Sequence, residues 1–214
     1  MGEVPNGVCF LLCPEWLPDD RNWQTTLMEA LSGGCSMVQL RIRYLPAREF
    51  YVIAKAARGV CQRFKAPLII NDRLDIALAA GAGGVHLGPK DLPVEKARQL
   101  LPREAILGVT TPDDKTRAAA LAAGADFITC GPVFPSQTEA GKEAVGLEEL
   151  ARVRAAFPEA KLCALGGLER GNLEQVLAKK PDLVAISAGI QCEEDPENAA
   201  RELVQSFRAG RQCE

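Results

Sequence analysis

The chain has 214 residues, of which 47% are hydrophobic and 25% charged, with a formal net charge of −3. Its size suffices for a large core and lies near the lower end for a complete (β/α)₈ barrel, so one domain over residues 1–214 is the economical interpretation. The small negative charge, without a run of basic residues, argues against nucleic acid and membrane surfaces as partners.

The first residues show neither a secretion signal nor a membrane span, so we expect a cytoplasmic protein. Eight cysteines lie mostly inside predicted strands and helices, without a CxxC pair, and this predicts buried, reduced thiols. The single histidine, His86, has no cysteine close to it in sequence. This spacing argues against a structural zinc site.

Eight short apolar runs rich in branched residues alternate with segments of helical periodicity. In chain order the predicted strands cover residues 8–13, 37–40, 68–70, 84–87, 106–109, 127–130, 162–165 and 183–186. Helical patterns cover residues 47–64, 94–101, 115–123, 147–157 and 173–177. Residues 196–208 are expected to form the closing helix, with Asp195 as its N-cap and Pro196 at its first position.

Strands that alternate with helices predict a parallel sheet whose strands are buried on both faces. An open, doubly wound sheet would show a similar alternation, but it usually has fewer units and often a glycine-rich loop after the first strand. Here the segment after the first strand, CPEWLPDD, contains no glycine. The fold predicted is therefore α/β, a single (β/α)₈ TIM barrel.

The carboxyl ends of the strands carry the active site in such barrels. Polar residues follow predicted strands two, three and four: Gln39, Arg41, Arg43, Asn71, Asp72, Arg73, Lys90 and Asp91. Asp72 and Asp91 offer the oxygen ligands that hold Mg²⁺ beside substrate phosphates, and the cations complement an anionic ligand. The alternative is that these charges pair with one another around the barrel rim.

Glycines follow predicted strands seven and eight, in Gly166-Gly167 and Ser187-Ala188-Gly189. Small residues there allow backbone N–H groups to approach a phosphate, often beside a short extra helix. The alternative is a pair of turns that need glycine for a positive φ angle.

A long polar loop follows predicted strand six. Ser136 and Thr138 could donate hydrogen bonds to phosphate oxygens there, and Lys142 could supply a positive charge. The length suits a lid, although an ordinary connecting loop fits equally. His86 is interpreted as a packing and hydrogen-bonding residue rather than a general base.

Taken together these segments resemble the thiamine-phosphate synthase family, which includes the related thiazole tautomerase. The resemblance spans nearly the whole chain and rests on VQLRIR, LIINDRLDIALAAGAGGVHLGPKDLP, ILGVTT, GADFITCGPVFPSQT, ALGGL and VAISAGI. It implies a (β/α)₈ barrel and a Mg²⁺-dependent transferase of thiamine biosynthesis. A pyrimidine diphosphate loses pyrophosphate, and the nitrogen of a thiazole phosphate captures the resulting cation.

The resemblance also implies residue roles. Asp72 and Asp91 would hold Mg²⁺. Substrate would be bound by Gln39, Arg41, Arg43, Asn71, Thr110, Ser136, Thr138 and Gly167, and by the backbone at Ile186 and Ser187. The catalytic set would be Arg41, Arg43, Thr110, Ser136, Thr138 and Lys142.

Several positions depart from the family pattern. Arg43 stands where lysine is usual, and Pro89 replaces a residue that has a backbone amide donor. Thr110 replaces serine, and no histidine follows Thr111, although the tautomerase is thought to use one there. Glu139 replaces a lysine. These departures leave open an isomerase, or a silent barrel that binds a phosphorylated ligand, and a homo-oligomer is open as well.

Overall fold

The computed structural model describes residues 2–136 and 141–212. Within these ranges eight parallel strands form a closed barrel in chain order, which confirms the predicted fold. The strands are β1 (Gly7–Leu12), β2 (Met37–Leu40), β3 (Leu68–Asn71), β4 (Gly84–Leu87), β5 (Ile106–Thr110), β6 (Phe127–Cys130), β7 (Leu162–Leu165) and β8 (Leu183–Ile186). The barrel closes where β8 pairs with β1, with Ile186 beside Phe10.

The helices surround the barrel. They are α1 (Trp23–Ser32), α2 (Ala47–Arg63), α3 (Leu74–Ala80), α4 (Val94–Leu100), α5 (Asp114–Ala122), α6 (Gly146–Ala156), α7 (Leu173–Leu177), α8 (Ala188–Gln191) and α9 (Pro196–Gln212). The predicted helices are present with small differences at their ends, and α9 continues four residues beyond the predicted 208. Asp195 caps α9 as predicted, since its Oδ1 accepts a hydrogen bond of 2.9 Å from the Asn198 N–H.

Three helices were not among the predicted ranges: α1, α3 and the four-residue α8. The α3 segment, LDIALAA, is almost uniformly apolar, so it shows no helical alternation of apolar and polar residues. For α1 the sequence does contain a signal, because Asn22 is of a residue type favoured at the N-cap. In the structure the Asn22 side chain accepts hydrogen bonds from the Gln24 and Thr25 N–H groups.

Apolar side chains form two layers. Cys9, Met37, Ile69 and Leu183 point into the barrel and pack on one another. Alternate strand residues such as Phe10 point outwards and pack in the larger layer beneath the helices. Both faces of the sheet are therefore covered, as expected for parallel strands.

The seven cysteines in the described ranges are free thiols, six of them buried and Cys192 exposed. Burial raises the pKa of Cys35, Cys61 and Cys163 to about 12, so these thiols stay protonated and unreactive at neutral pH. Cys213 lies outside the described residues. Across the same ranges, the helices all lack the length and apolar character needed to cross a membrane.

Candidate functional site

An open cavity of about 770 Å³ lies at the carboxyl ends of the strands. Its floor includes four polar side chains, Gln39 of β2, Asn71 of β3, His86 of β4 and Thr110 of β5. Side chains alternate between the two faces of a strand, so each of these residues points inwards. They form a polar floor above the apolar interior of the barrel.

The cavity brings together most of the side chains that the sequence singled out. These are Gln39, Arg41, Arg43, Asn71, Asp72, Asp91, Thr110, Ser136, Lys142, Gly167 and Ser187. Thr138 and Glu139 lie outside the described residues. Ile186 does not line the cavity, because its side chain points into the layer beneath the helices while its neighbours Ala185 and Ser187 face the cavity. Ile186 could therefore contact a ligand only through its main chain.

Asp72 and Asp91 face each other across the ends of β3 and β4. Burial, followed by the charge and hydrogen bonding of Asp91, raises the pKa of Asp72 to about 6, whereas nearby Arg41 opposes this shift. Asp91 is fixed in its turn, since its Oδ2 accepts a hydrogen bond of 2.7 Å from the Gly88 N–H. Two carboxyl groups held this close repel each other when both are ionised, so the binding of a cation or a proton between them is favoured.

A hydrogen-bonded chain connects the floor to this acid pair. Gln39 Nε2 donates to Asn71 Oδ1 over 2.7 Å, and a hydrogen bond from Asn71 lowers the pKa of Asp72. The side chains of β2 and β3 thus orient the carboxyl group of Asp72, since each amide has a fixed partner.

His86 lies in the floor, with 4% of its surface exposed. Its Nε2 lies 2.8 Å from Thr110 Oγ1, and its ring centroid lies 5.5 Å from that of Phe127. Burial lowers the pKa of His86 to about 4, so the ring is neutral at physiological pH. The packing and hydrogen-bonding role predicted for His86 agrees with this environment.

The turns after β7 and β8 form the opposite side of the cavity. Gly166 and Gly167 have φ angles of +95° and +62°, and a Cβ on Gly167 would lie 2.4 Å from the Pro135 oxygen. Gly189 has no positive φ, but a Cβ there would lie 2.9 Å from the Leu168 oxygen. The requirement for a positive φ is thus met at Gly166 and Gly167 but not at Gly189, where the close backbone contact excludes a side chain. Phosphate binding by these turns stays a prediction.

One cation that the sequence predicted for the site lies outside the cavity. Arg73 does not line the cavity, because its guanidinium forms an ion pair with Asp75 at 2.6 Å on the exposed outer surface. Arg73 thus pairs with a carboxylate outside the predicted set of rim charges. Lys90, by contrast, lines the cavity as predicted.

Some cavity residues were missed by the sequence argument: Trp16, Glu169, Asn172 and Gln191. Each follows a strand end by a few residues, after β1, β7 or β8. Their position shortly after a strand end was the available signal.

The chain is similar in sequence to known proteins. A family model described as thiamine monophosphate synthase matches residues 9–190. A putative thiamine-phosphate synthase of Geobacter sulfurreducens is 44% identical over 176 residues, covering 82% of each chain. The thiamine-phosphate synthase of Thioalkalivibrio sulfidiphilus is 37% identical over 209 residues, covering 96% of this chain and 97% of the relative.

Solved structures show the same relation. The thiamine phosphate pyrophosphorylase of Pyrococcus furiosus superimposes with a TM-score of 0.84 at 29% identity, covering 95% of this chain and 96% of the other. The 3-hexulose-6-phosphate synthase of Salmonella typhimurium, at 15% identity and a TM-score of 0.68, shares the fold.

Proposed function

This chain belongs to the thiamine monophosphate synthase family, and from that premise we propose that it is a Mg²⁺-dependent transferase. It joins a hydroxymethylpyrimidine diphosphate to a thiazole phosphate, with loss of pyrophosphate. The observation that carries the proposal is one cavity with two unlike sides, an acid pair with arginines opposite a wall of glycine-bearing turns.

The β2–β4 side suits a diphosphate. Arg41 and Arg43 lie on this side and can bind phosphate oxygens through the planar guanidinium fork. Gln39 and Asn71 would contact the diphosphate or the pyrimidine ring. The substitution of arginine for the usual lysine at position 43 preserves the charge and so is compatible with this role.

Asp72 and Asp91 fit Mg²⁺. The described ranges contain no cluster of three histidine, cysteine or acidic side chains, which excludes from them a metal cage built from such residues alone. Mg²⁺ commonly uses one or two carboxylates and completes its shell with water and substrate phosphates. Mg²⁺ held by Asp72 and Asp91 would neutralise the diphosphate as it becomes a leaving group. A cation there would also relieve the repulsion between the two carboxylates.

The β7–β8 side suits a single phosphate. The backbone of Gly167 and the residues around Ser187 line it, and among the described residues Glu169 is the acidic side chain of this wall. Ser136, on the loop after β6, also lines the cavity, so its hydroxyl can act near the junction of the two substrates. Thr138 is proposed to act there as well.

The bond between the pyrimidine methylene carbon and the diphosphate oxygen breaks, and its electron pair leaves with pyrophosphate. The thiazole nitrogen then donates its lone pair to the carbon cation. The protein binds and orients both substrates, and it stabilises the separated charges instead of supplying a nucleophile. Lys142 and Arg41 supply positive charge toward the leaving group, and Thr110 contributes a hydroxyl held by His86.

Incubation with both substrates tests this function, with mass spectrometry of the product. Thiamine phosphate is expected with Mg²⁺, is lost with a chelator, and returns when Mg²⁺ is restored. If thiazole phosphate binds without product formation in any metal condition, the isomerase or the silent barrel becomes the better interpretation. The two similar proteins from Geobacter sulfurreducens and Thioalkalivibrio sulfidiphilus carry synthase names, and this supports the transferase.

A further inference from the structure

Gln191 is a fully buried polar residue at the end of α8. Its Oε1 accepts a hydrogen bond of 3.0 Å from the Cys13 N–H, and its Nε2 donates one of 3.1 Å to the Cys13 oxygen. A buried amide is costly unless both of its ends are paired. Gln191 thus forms a two-point clamp between α8 and the residue that follows β1.

This clamp connects the chain segments after β1 and β8, beyond the last backbone pairing between the two strands. β1 and β8 pair as far as Phe10 and Ile186, after which the chain turns at Ser187 into α8. The β8 backbone therefore cannot pair with Cys13, and the side-chain amide of Gln191 takes the place of a peptide group there. These two hydrogen bonds attach α8, which begins directly after Ser187 and contains Gly189, to the residue that follows β1.

Asn172 makes a matching clamp on the turn after β7. Its Nδ2 donates to the Gly167 oxygen over 2.8 Å, and its Oδ1 accepts from the Glu169 N–H over 3.0 Å. The two clamped turns touch, because a Cβ on Gly189 would lie 2.9 Å from the Leu168 oxygen. Both turns are thereby held as one unit against the cavity.

We propose that Gln191 and Asn172 are positioning residues that hold the backbone of Gly167 and Ser187 for the phosphate of the thiazole substrate. The inference rests on the proposed function for the identity of that substrate. It goes further because it attributes part of the affinity for this phosphate to two side-chain amides. Their oxygen and nitrogen atoms form hydrogen bonds with the backbone of the chain itself. Rigid, preformed geometry lowers the cost of ordering the turn when the ligand binds.

The test uses Gln191→Met, which preserves side-chain length and removes both hydrogen bonds. Because small displacements of positioning groups can cost about a hundredfold in rate, we expect the KM for thiazole phosphate to rise by about tenfold or more. The KM for the pyrimidine diphosphate, bound on the other side, is expected to stay unchanged. Asn172→Leu should behave in the same way.

Leu203→Ala is the control, since Leu203 is buried in α9 away from the cavity and its truncation lowers stability by creating a void. It should leave both KM values unchanged. An equal rise in both KM values for Gln191→Met, or the same rise in Leu203→Ala, would show that the clamp serves stability alone.

A second readout separates this inference from the proposed function. Inorganic phosphate is titrated into the full chain while backbone amide NMR signals of Ser187 and Gly189 are followed. These signals should shift in the wild type, at concentrations about tenfold lower than in Gln191→Met. Absence of thiamine phosphate production would overturn the proposed function only. Equal phosphate affinity in the two proteins, or no shift in the wild type, would overturn the clamp.

Discussion

The acid pair is held by contacts that differ for its two members. Asp91 accepts from the Gly88 N–H, which an asparagine oxygen could also do, so Asp91→Asn removes the charge while the turn is retained. We expect the Mg²⁺ concentration for half-maximal activity to rise about tenfold or more, since fewer negative charges hold the ion. Turnover at saturating substrate should fall with it. A Mg²⁺ titration of initial rates measures both, and unaltered kinetics would remove Asp91 from the metal site.

For Glu139 the prediction rests on its charge and on the sequence alone. The resemblance places a lysine at this position, where it would face pyrophosphate, and an anion there opposes binding. Glu139→Lys is expected to raise synthase activity or affinity for the diphosphate. Steady-state rates across diphosphate concentrations test this, with Glu143→Lys as a control for the charge change alone. If neither parameter changes, Glu139 points away from the substrate.

His86 predicts a specific pH dependence of stability. Its pKa of about 4 in the folded protein lies below the usual 6.5, so between these values the unfolded chain binds more protons, and acidification destabilises the fold. The difference corresponds to about 3 kcal/mol when fully developed. Asp72 acts in the opposite sense, because its raised pKa means that the folded protein takes up the proton first as the pH falls.

The comparison with His86→Gln isolates the histidine contribution. Urea unfolding at pH 7, 5.5 and 4.5 should show a stability difference between wild type and variant that shrinks as the pH falls. His86 is the only histidine, so its ring signals also give the pKa directly by NMR. A pKa near 6.5 in the folded protein would contradict the burial argument.

At the scale of elements, two aspartates tie neighbouring strands together at their starts. Asp126 Oδ2 accepts from the Leu107 N–H at 2.8 Å and lies 3.2 Å from an Arg98 nitrogen. Asp182 repeats the arrangement with the Leu162 N–H at 3.0 Å and Arg154 at 2.6 Å. Each carboxylate joins a strand, its neighbour and a helix.

Asp126→Ala should therefore lower the free energy of unfolding by about 1–3 kcal/mol, because it leaves a buried N–H group unpaired. Arg73→Ala is the matched control, since its exposed ion pair with Asp75 contributes little. Urea denaturation measures both variants. Equal stability of Asp126→Ala and wild type would mean that water replaces the carboxylate at Leu107.

The strands were predictable because alternation of branched apolar runs with helical patterns reflects burial on both faces of a parallel sheet. Short helices were harder. In α3 every residue except one is apolar, so periodicity carries no information there. α8 has four residues, and it is held by the clamp of Gln191 on Cys13, a contact between residues 178 positions apart. No local pattern encodes such a contact.

For the whole molecule, barrel closure explains why so much of the candidate site could be predicted. Once eight units close, every strand ends at the same rim, so polar residues at strand ends must converge, as Gln39, Asn71 and Asp72 do. This convergence does not extend to side chains whose direction is set by a local contact. Arg73 follows the same strand as Asp72 but turns outwards to Asp75. The side chain of Ile186 points beneath the helices, and the main-chain contact implied for Ile186 stays a prediction.

The same convergence predicts how ligands stabilise the whole barrel. Because Asp72 and Asp91 follow β3 and β4, and the arginines follow β2, pyrophosphate with Mg²⁺ would link three strand ends, and it would do so only in the folded chain. A ligand at a hundred times its Kd adds about 2.7 kcal/mol to stability, and for a chain of this size this corresponds to a rise in Tm of roughly 5–10 °C. Differential scanning calorimetry with pyrophosphate and Mg²⁺ should show this rise in Tm.

Pyrophosphate with a chelator, or Asp91→Asn with both ligands, should show a much smaller rise in Tm. An equal rise with chelator would mean that the arginines bind pyrophosphate without the metal, and the proposed Mg²⁺ dependence would then be wrong.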